Sequence, residues 1–160
     1  MTRDEVVGAV RGFLAVLSGE GGAQSREQEL RKALDRLALA YHFSEAPADE
    51  RHYPRVREPG IERWKALCQR YSALFPDFGS YNTTMDVIEK VGSGEVIIGD
   101  PIDDLADITQ DVQEFLDRWD RTSPEDALWH FRSSFEFHLG RHLRSLQVYL
   151  HERAFYAPET

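Results

Sequence analysis

Apolar residues recur at three- and four-residue steps over most of the chain. Val6, Val10, Phe13, Leu14 and Leu17 make a first stripe, and Leu30, Leu34, Leu37 and Tyr41 make a second. That period belongs to the α-helix, where positions three and four apart share a face. Each stripe is preceded by a capping box, Thr2-Arg3-Asp4-Glu5 with a hydroxyl at the N-cap and a carboxylate at N3, and Ser25-Arg26-Glu27-Gln28. Gly19, Gly21 and Gly22 lie between the stripes. Residues 1–43 are therefore expected to form a helical hairpin, the second helix opening at Ser25. The stretch that follows, "FSEAPADERHYPRVREPG", is crowded with proline and charge, so 44–60 reads as a connecting loop. Ile61, Trp64, Leu67, Cys68, Tyr71, Leu74 and Phe75 then share one side of a helix over 61–75, closed by Pro76.

Two later helix starts use one device. Asp100-Pro101 and Ser123-Pro124 each place a capping side chain before a proline whose missing N–H costs nothing at that position. The first leads into Leu105, Ile108, Val112, Phe115, Leu116 and Trp119, a helix expected over 101–119. The second leads into Phe131, Phe135, Leu139, Leu143, Leu146 and Leu150, a single long helix expected over 123–152. Between these regions the period breaks. Val87, Val96, Ile97 and Ile98 favour strands and the glycines of "VGSGEVII" can turn a chain, so the segment around 84–99 reads as irregular or as a short hairpin. Five helices with mostly short connections predict an all-α, single-domain bundle over 1–160.

Composition narrows the function. The 160 residues carry 28 acidic and 19 basic side chains, a net charge of −9. Such a surface repels phosphate backbones, and no basic patch interleaves with aromatics, so nucleic acid is not an expected partner. No run approaches the ~20 apolar residues that span a bilayer, and Arg11 and Gly12 interrupt the N-terminal stripe, so no membrane association is expected. The single cysteine, Cys68, excludes an internal disulfide and a multi-cysteine zinc site. It shares a face with Trp64 and Tyr71 and reads as an inert buried thiol. These features predict a cytoplasmic protein. "GSGE" at 92–95 has too few glycines and no lysine for a phosphate loop, and no nucleophile motif is present. No catalytic residue and no cofactor are expected.

Candidate chemistry is concentrated in two stretches. "GDPIDDLADITQD", residues 99–111, holds five aspartates. Asp100, Asp103 and Asp104 fall at a helix start, where carboxylates meet unpaired N–H groups and the positive end of the dipole. Asp107 and Asp111, with Asp104 and Glu114, form an i, i+3, i+7, i+10 row beside the apolar stripe. That row is either a solvated edge or a set of oxygen ligands facing the last helix. An EF-hand is excluded, because its ligands come from a loop. In "FEFHLGRHL", His138 and His142 stand i, i+4 and can point the same way, as two metal ligands on a helix must. Leu139 occupies the place of the glutamate in H-E-x-x-H, so the zinc-protease pattern is absent. His142 lies inside the apolar arc and His138 at its edge. A buried imidazole needs a partner, and the acidic row supplies one. Gly140, costly in mid-helix, implies close approach of a backbone or a large ring.

The ligand-binding candidates are thus Asp104, Asp107, His138 and His142. Asp104, His138 and His142 would be the metal ligands if the pairs are not purely structural. Arg141 and Arg144 project from the core arc. His42, His52, Tyr53, Arg55 and Arg57 form the one locally basic, aromatic-bearing loop, able to contact a partner. Two functions follow: a non-catalytic protein-interaction module, or a metal- or small-ligand-binding protein with its pocket between the two C-terminal helices. Trp129, Phe137 and Val148 lie off the main arc and could pair two copies as a homodimer.

"DDLADI" at 103–108, the tryptophan after "AL" at 127–129 and the glycine of "HLG" at 138–140 carry a resemblance, with "DERHYP" at 49–54 as a looser match. The chain resembles a bacterial family known as domain of unknown function 5063, most closely over its C-terminal two-thirds. The resemblance implies a helical cytoplasmic protein and brings no activity, substrate or catalytic residue. Members often carry tryptophan at the place of Leu139 and sometimes asparagine at that of His138, which implies that His138 is not an obligatory ligand.

Overall fold

The computed structural model describes residues 1–18, 22–54 and 60–156. The chain is an all-α bundle: α1 (Arg3–Ser18), α2 (Ala23–Tyr41), α3 (Ile61–Leu74), α4 (Pro101–Arg121), α5 (Pro124–Ser134) and α6 (Gly140–Phe155). A single π turn, Phe135–Leu139, joins α5 to α6 in one rod, so the bundle has five rods. The segment after α3 resolves into a hairpin, β1 (Tyr81–Thr84) and β2 (Val96–Gly99), with Tyr81 opposite Gly99 and Thr84 opposite Val96. The strands begin before residue 84 and leave out Val87, which is 71% exposed.

α4 is the central rod. Leu105, Ile108, Val112 and Phe115 are fully buried, and α4 packs against α3, α5, α6 and α1. α1 lies on α2, and α2 also on α6. Burying these stripes is the main source of stability, at about 25 cal/mol per Å² of apolar surface. One polar contact crosses the core, between the Tyr71 hydroxyl and Thr109 Oγ1 at 2.9 Å.

Three of the four caps expected from the sequence form. Thr2 Oγ1 accepts from the Glu5 N–H at 3.3 Å and Glu5 accepts from the Thr2 N–H, a closed capping box. The second box does not form. α2 opens two residues early, at Ala23 behind Gly22, with no side-chain cap. Glu27, one position before the Gln28 of that box, gives its carboxylate to Arg153 through two contacts of 3.3 Å and so ties the start of α2 to the end of α6. Asp100 accepts from the Ile102 N–H at 2.8 Å and Ser123 from the Asp126 N–H at 3.1 Å, as their sequences predict.

Three expectations change. The rod expected as one α-helix over 123–152 contains the π turn. Ile61 is 62% exposed, because the buried face of α3 is the narrower arc of Leu67, Tyr71 and Phe75. The loop after α2 is tied down at Asp49, which accepts from Ser123, Arg51 and Tyr53. Arg51 and then Ser123 hold its carboxyl well below the usual carboxylate range. Gly19, Gly21, Arg55 and Arg57 lie outside the described residues. Among those described, no helix is long and apolar enough to cross a membrane.

Candidate functional site

The acidic row of α4 meets a row of imidazoles and a hydroxyl on the last rod. Asp104 is buried, and its Oδ1 accepts from His142 Nδ1 at 2.7 Å. Its Oδ2 accepts from the Tyr81 hydroxyl. Asp107 Oδ2 lies 3.5 Å from His142 Nε2. Asp111 Oδ2 accepts from His138 Nδ1 at 2.8 Å and from Ser134 Oγ at 2.5 Å. Further along, Glu114 accepts from Arg118 at 2.9 Å, with His130 Nε2 3.4 Å away.

The π turn makes this alignment possible. His130, Ser134, His138 and His142 are spaced by four. In an α-helix each four-residue step overshoots a full turn by about 40°, or roughly 120° over three steps. A π turn holds one extra residue and sets the rotation back by about 100°. The four side chains therefore face one neighbour instead of spiralling away from it. Gly140 is what permits the turn. Its N–H bonds to the Phe135 carbonyl, and a Cβ there would lie 2.2 Å from that oxygen and 3.0 Å from the Phe135 ring. The close approach implied by a mid-helix glycine is thus made by one residue of the same rod.

The hairpin braces the site from the side. Tyr81 lies across Gly99, where a Cβ would sit 2.5 Å from the ring, and packs at a tilt against Tyr149, their centroids 5.2 Å apart. Burial and then Asp104 push its hydroxyl pKa well up, so it stays a donor. Arg141 donates to the Thr84 carbonyl at 2.7 Å, which fastens the hairpin to α6 between the two histidines. Arg141, read from sequence as a projecting solvated charge, thus holds this strand end.

The electrostatics favour a cation. Asp103, Asp104, Asp107 and Asp111 form no ion pair with lysine or arginine among the described residues. Even with both imidazoles protonated, these four carboxylates exceed them by two charges. Burial pushes Asp103 and Asp107 above the ordinary carboxylate pKa, and each raises the other or is raised by further aspartates. Hydrogen bonds to Asp104 and Asp111 push His142 and His138 up. One ligand atom from each of Asp107, His138 and His142 lies within 4.8 Å of the others.

All four candidates from the sequence thus come together: Asp104, Asp107 and His142 in one knot, and His138 beside it, its ring 4.9 Å from that of His142. Asp104 does not join the three-residue ligand cluster, because both its oxygens are occupied. Sequence reasoning missed Tyr81, Ser134 and His130. Ser134 and His130 were legible as earlier members of the four-residue series. Tyr81 carries no sequence signal, being 23 residues from its partner and delivered by the hairpin.

A bundle of this kind defines a helical protein with a carboxylate–imidazole centre on its middle rod. The chain belongs to the family described as domain of unknown function DUF5063, whose profile matches residues 4–155. It is similar in fold to the crystal structure of protein BF1032 from Bacteroides fragilis, a structural genomics target. That similarity has a TM-score of 0.77 at 18% identity and covers 98% of this chain and 94% of the other. A comparison with curated proteins finds no match.

Proposed function

We propose that this protein binds a divalent transition-metal ion at Asp107, His138 and His142. One observation carries the reading: each imidazole donates Nδ1–H to its own carboxylate, so in the neutral ring the lone pair sits on Nε2, and that of His142 lies 3.5 Å from Asp107 Oδ2. Carboxylates that orient metal-binding histidines act in this way, fixing the tautomer and raising ligand basicity. Asp104 and Asp111 are then orienting groups and Asp107 the oxygen ligand. Two nitrogens and one oxygen suit zinc, iron or manganese. Bonds of ~2.0–2.2 Å place neighbouring donors about 3–3.5 Å apart, so the cluster must tighten by about an ångström. His138, 51% exposed, has room to turn. Three protein ligands leave a position open for a small molecule.

The test is elemental analysis and calorimetry on protein purified without a metal-affinity tag. About one equivalent of zinc, manganese or iron, or tight uptake after chelation, is the expected result. Less than about a tenth of an equivalent, with no thermal shift on adding these ions, overturns the reading. We also propose a cytoplasmic location, in keeping with a lone thiol whose pKa burial pushes up to about 11; cell fractionation tests it.

A second reading, docking of a protein partner or a second copy, has its own observation. Trp129, Phe137 and Val148 are 54%, 85% and 62% exposed, an apolar face that nothing in the described chain covers. Light scattering of wild type and Phe137→Ser decides it. A dimer lost in the variant supports docking of a second copy, and a monomer at all concentrations removes the homodimer.

A further inference from the structure

Away from the acidic row, two half-open clefts of about 430 and 420 Å³ run along α2 and the end of α6, the first walled also by residues 75–78. Their shared wall is Gln28 and Arg31. Both volumes lie in the range of small-ligand pockets, which are mostly apolar with a few placed polar groups. We propose that Arg31 is the anchor of a binding site for a small monocarboxylate with an apolar or aromatic body.

The charges around Arg31 are otherwise accounted for. Glu27 is held by Arg153, which also donates to the Asp77 carbonyl at 3.1 Å. Asp35 accepts from the Gln147 amide at 2.7 Å, and Lys32 pairs with Glu29 at 2.7 Å. Arg31 makes no ion pair or hydrogen bond among the described residues, and its Nε is a buried donor with no acceptor. Arg63, Arg70 and Arg141, which also lack a carboxylate, donate to amide or carbonyl oxygens instead, whereas the buried Nε of Arg31 has no acceptor of any kind among the described residues. Its contact is with a ring: the guanidinium lies over Phe155, 5.7 Å from the centroid. A guanidinium is weakly hydrated, stacks well on an aromatic face and presents a planar fork that matches a carboxylate.

The neighbours select the ligand. Glu27 and Asp35 line the two clefts and repel a multiply charged anion, so a single carboxylate is favoured over phosphate. Phe78, partly exposed and stacked at 4.6 Å on the buried Phe75, offers its ring to an apolar body in the larger cleft.

This site shares no residue with the proposed metal centre, so the two can fail separately. The test uses metal-free protein and benzoate as the probe, with inorganic phosphate as the competing anion, read by chemical-shift titration. Benzoate is expected to bind saturably and at least tenfold more tightly than phosphate, with shifts centred on α2 and the end of α6. Arg31→Gln is expected to weaken it at least tenfold, while Arg144→Gln leaves it unchanged. If Arg31→Gln does not fold, Arg31→Lys serves, keeping the charge and losing the fork, with a several-fold loss expected. Unchanged affinity in the readable variant, no saturable benzoate binding, or tighter binding of phosphate overturns the proposal.

Discussion

The two ends of the carboxylate row on α4 are built from the same residue types and behave in opposite ways. At the Glu114 end the acid faces His130 and Arg118, and Arg118 also reaches Asp126 at 3.2 Å. His130 and then Arg118 hold the Glu114 carboxyl down at about 2. At the Asp107 end the basic groups facing the acids, among the described residues, are the imidazoles of His138 and His142, and burial pushes Asp107 up instead. An arginine is always charged and completes the local balance, so the Glu114 end is an ion-pair network centred on Arg118, with His130 Nε2 near the Glu114 carboxylate but without a hydrogen bond among the described residues. An imidazole can exchange its proton for a metal, so the Asp107 end stays able to respond. A row of acids beside a row of histidines is therefore not by itself a site. What separates the two ends is whether an arginine stands among them.

The comparison can be broken most forcefully at the π turn. Gly140→Ala places a Cβ against the Phe135 carbonyl and is expected to cost about 2–3 kcal/mol, the scale of an overpacked interior. For a chain of this size that lowers Tm by roughly 4–12 °C. It should also loosen the His138 and His142 pairs while sparing Glu114–His130, visible in the imidazole chemical shifts. A variant as stable as wild type with unmoved histidine signals would refute the role given to Gly140.

Next in size is the loss of metal. His142→Ala is expected to abolish stoichiometric uptake, whereas Tyr81→Phe, which strips one hydrogen bond from the orienting Asp104, should weaken it about tenfold or somewhat more. His138→Asn should fall between them. Glu114→Gln should leave uptake untouched. If Glu114→Gln and His142→Ala weaken metal equally, the two ends are not different in kind.

The smallest effects are in the pH dependence of the metal-free protein. His138 and His142 have raised pKa values, so their contribution is fully present below the ordinary value of 6.5 and is lost as pH climbs through the raised values. Tm should therefore fall on that alkaline side, and the fall should flatten in His138→Asn/His142→Asn. Glu114 has the opposite sign. Its contribution is present above 4.5 and is lost as pH drops toward about 2, and Glu114→Gln should flatten that acid limb alone. Thermal melts across both windows check the pair.

Much of this molecule was legible before any coordinates. The stripes on α1, α2 and α4, the caps at Thr2, Asp100 and Ser123 and the breakdown of period after Pro76 follow from local spacing, because a helix is defined by contacts between residues three and four apart. The pairing of Asp104 with His142 was legible too, since a half-buried imidazole needs an acceptor and one row of acids was on offer. Four things required the packed chain. Glu27 paired with Arg153 and α2 opened at Ala23 without the Ser25 cap. The strands paired Tyr81 with Gly99, and not the more strand-like Val87. The rod widened by one residue at Phe135–Leu139, and the hairpin delivered Tyr81 to Asp104. Three of these are settled by partners at least 18 residues away, and the π turn by the fit of Gly140 against Phe135 within its own rod. Spacing along the chain states which side chains share a face, while which face meets which is decided only when the rods pack and every buried donor must find its acceptor.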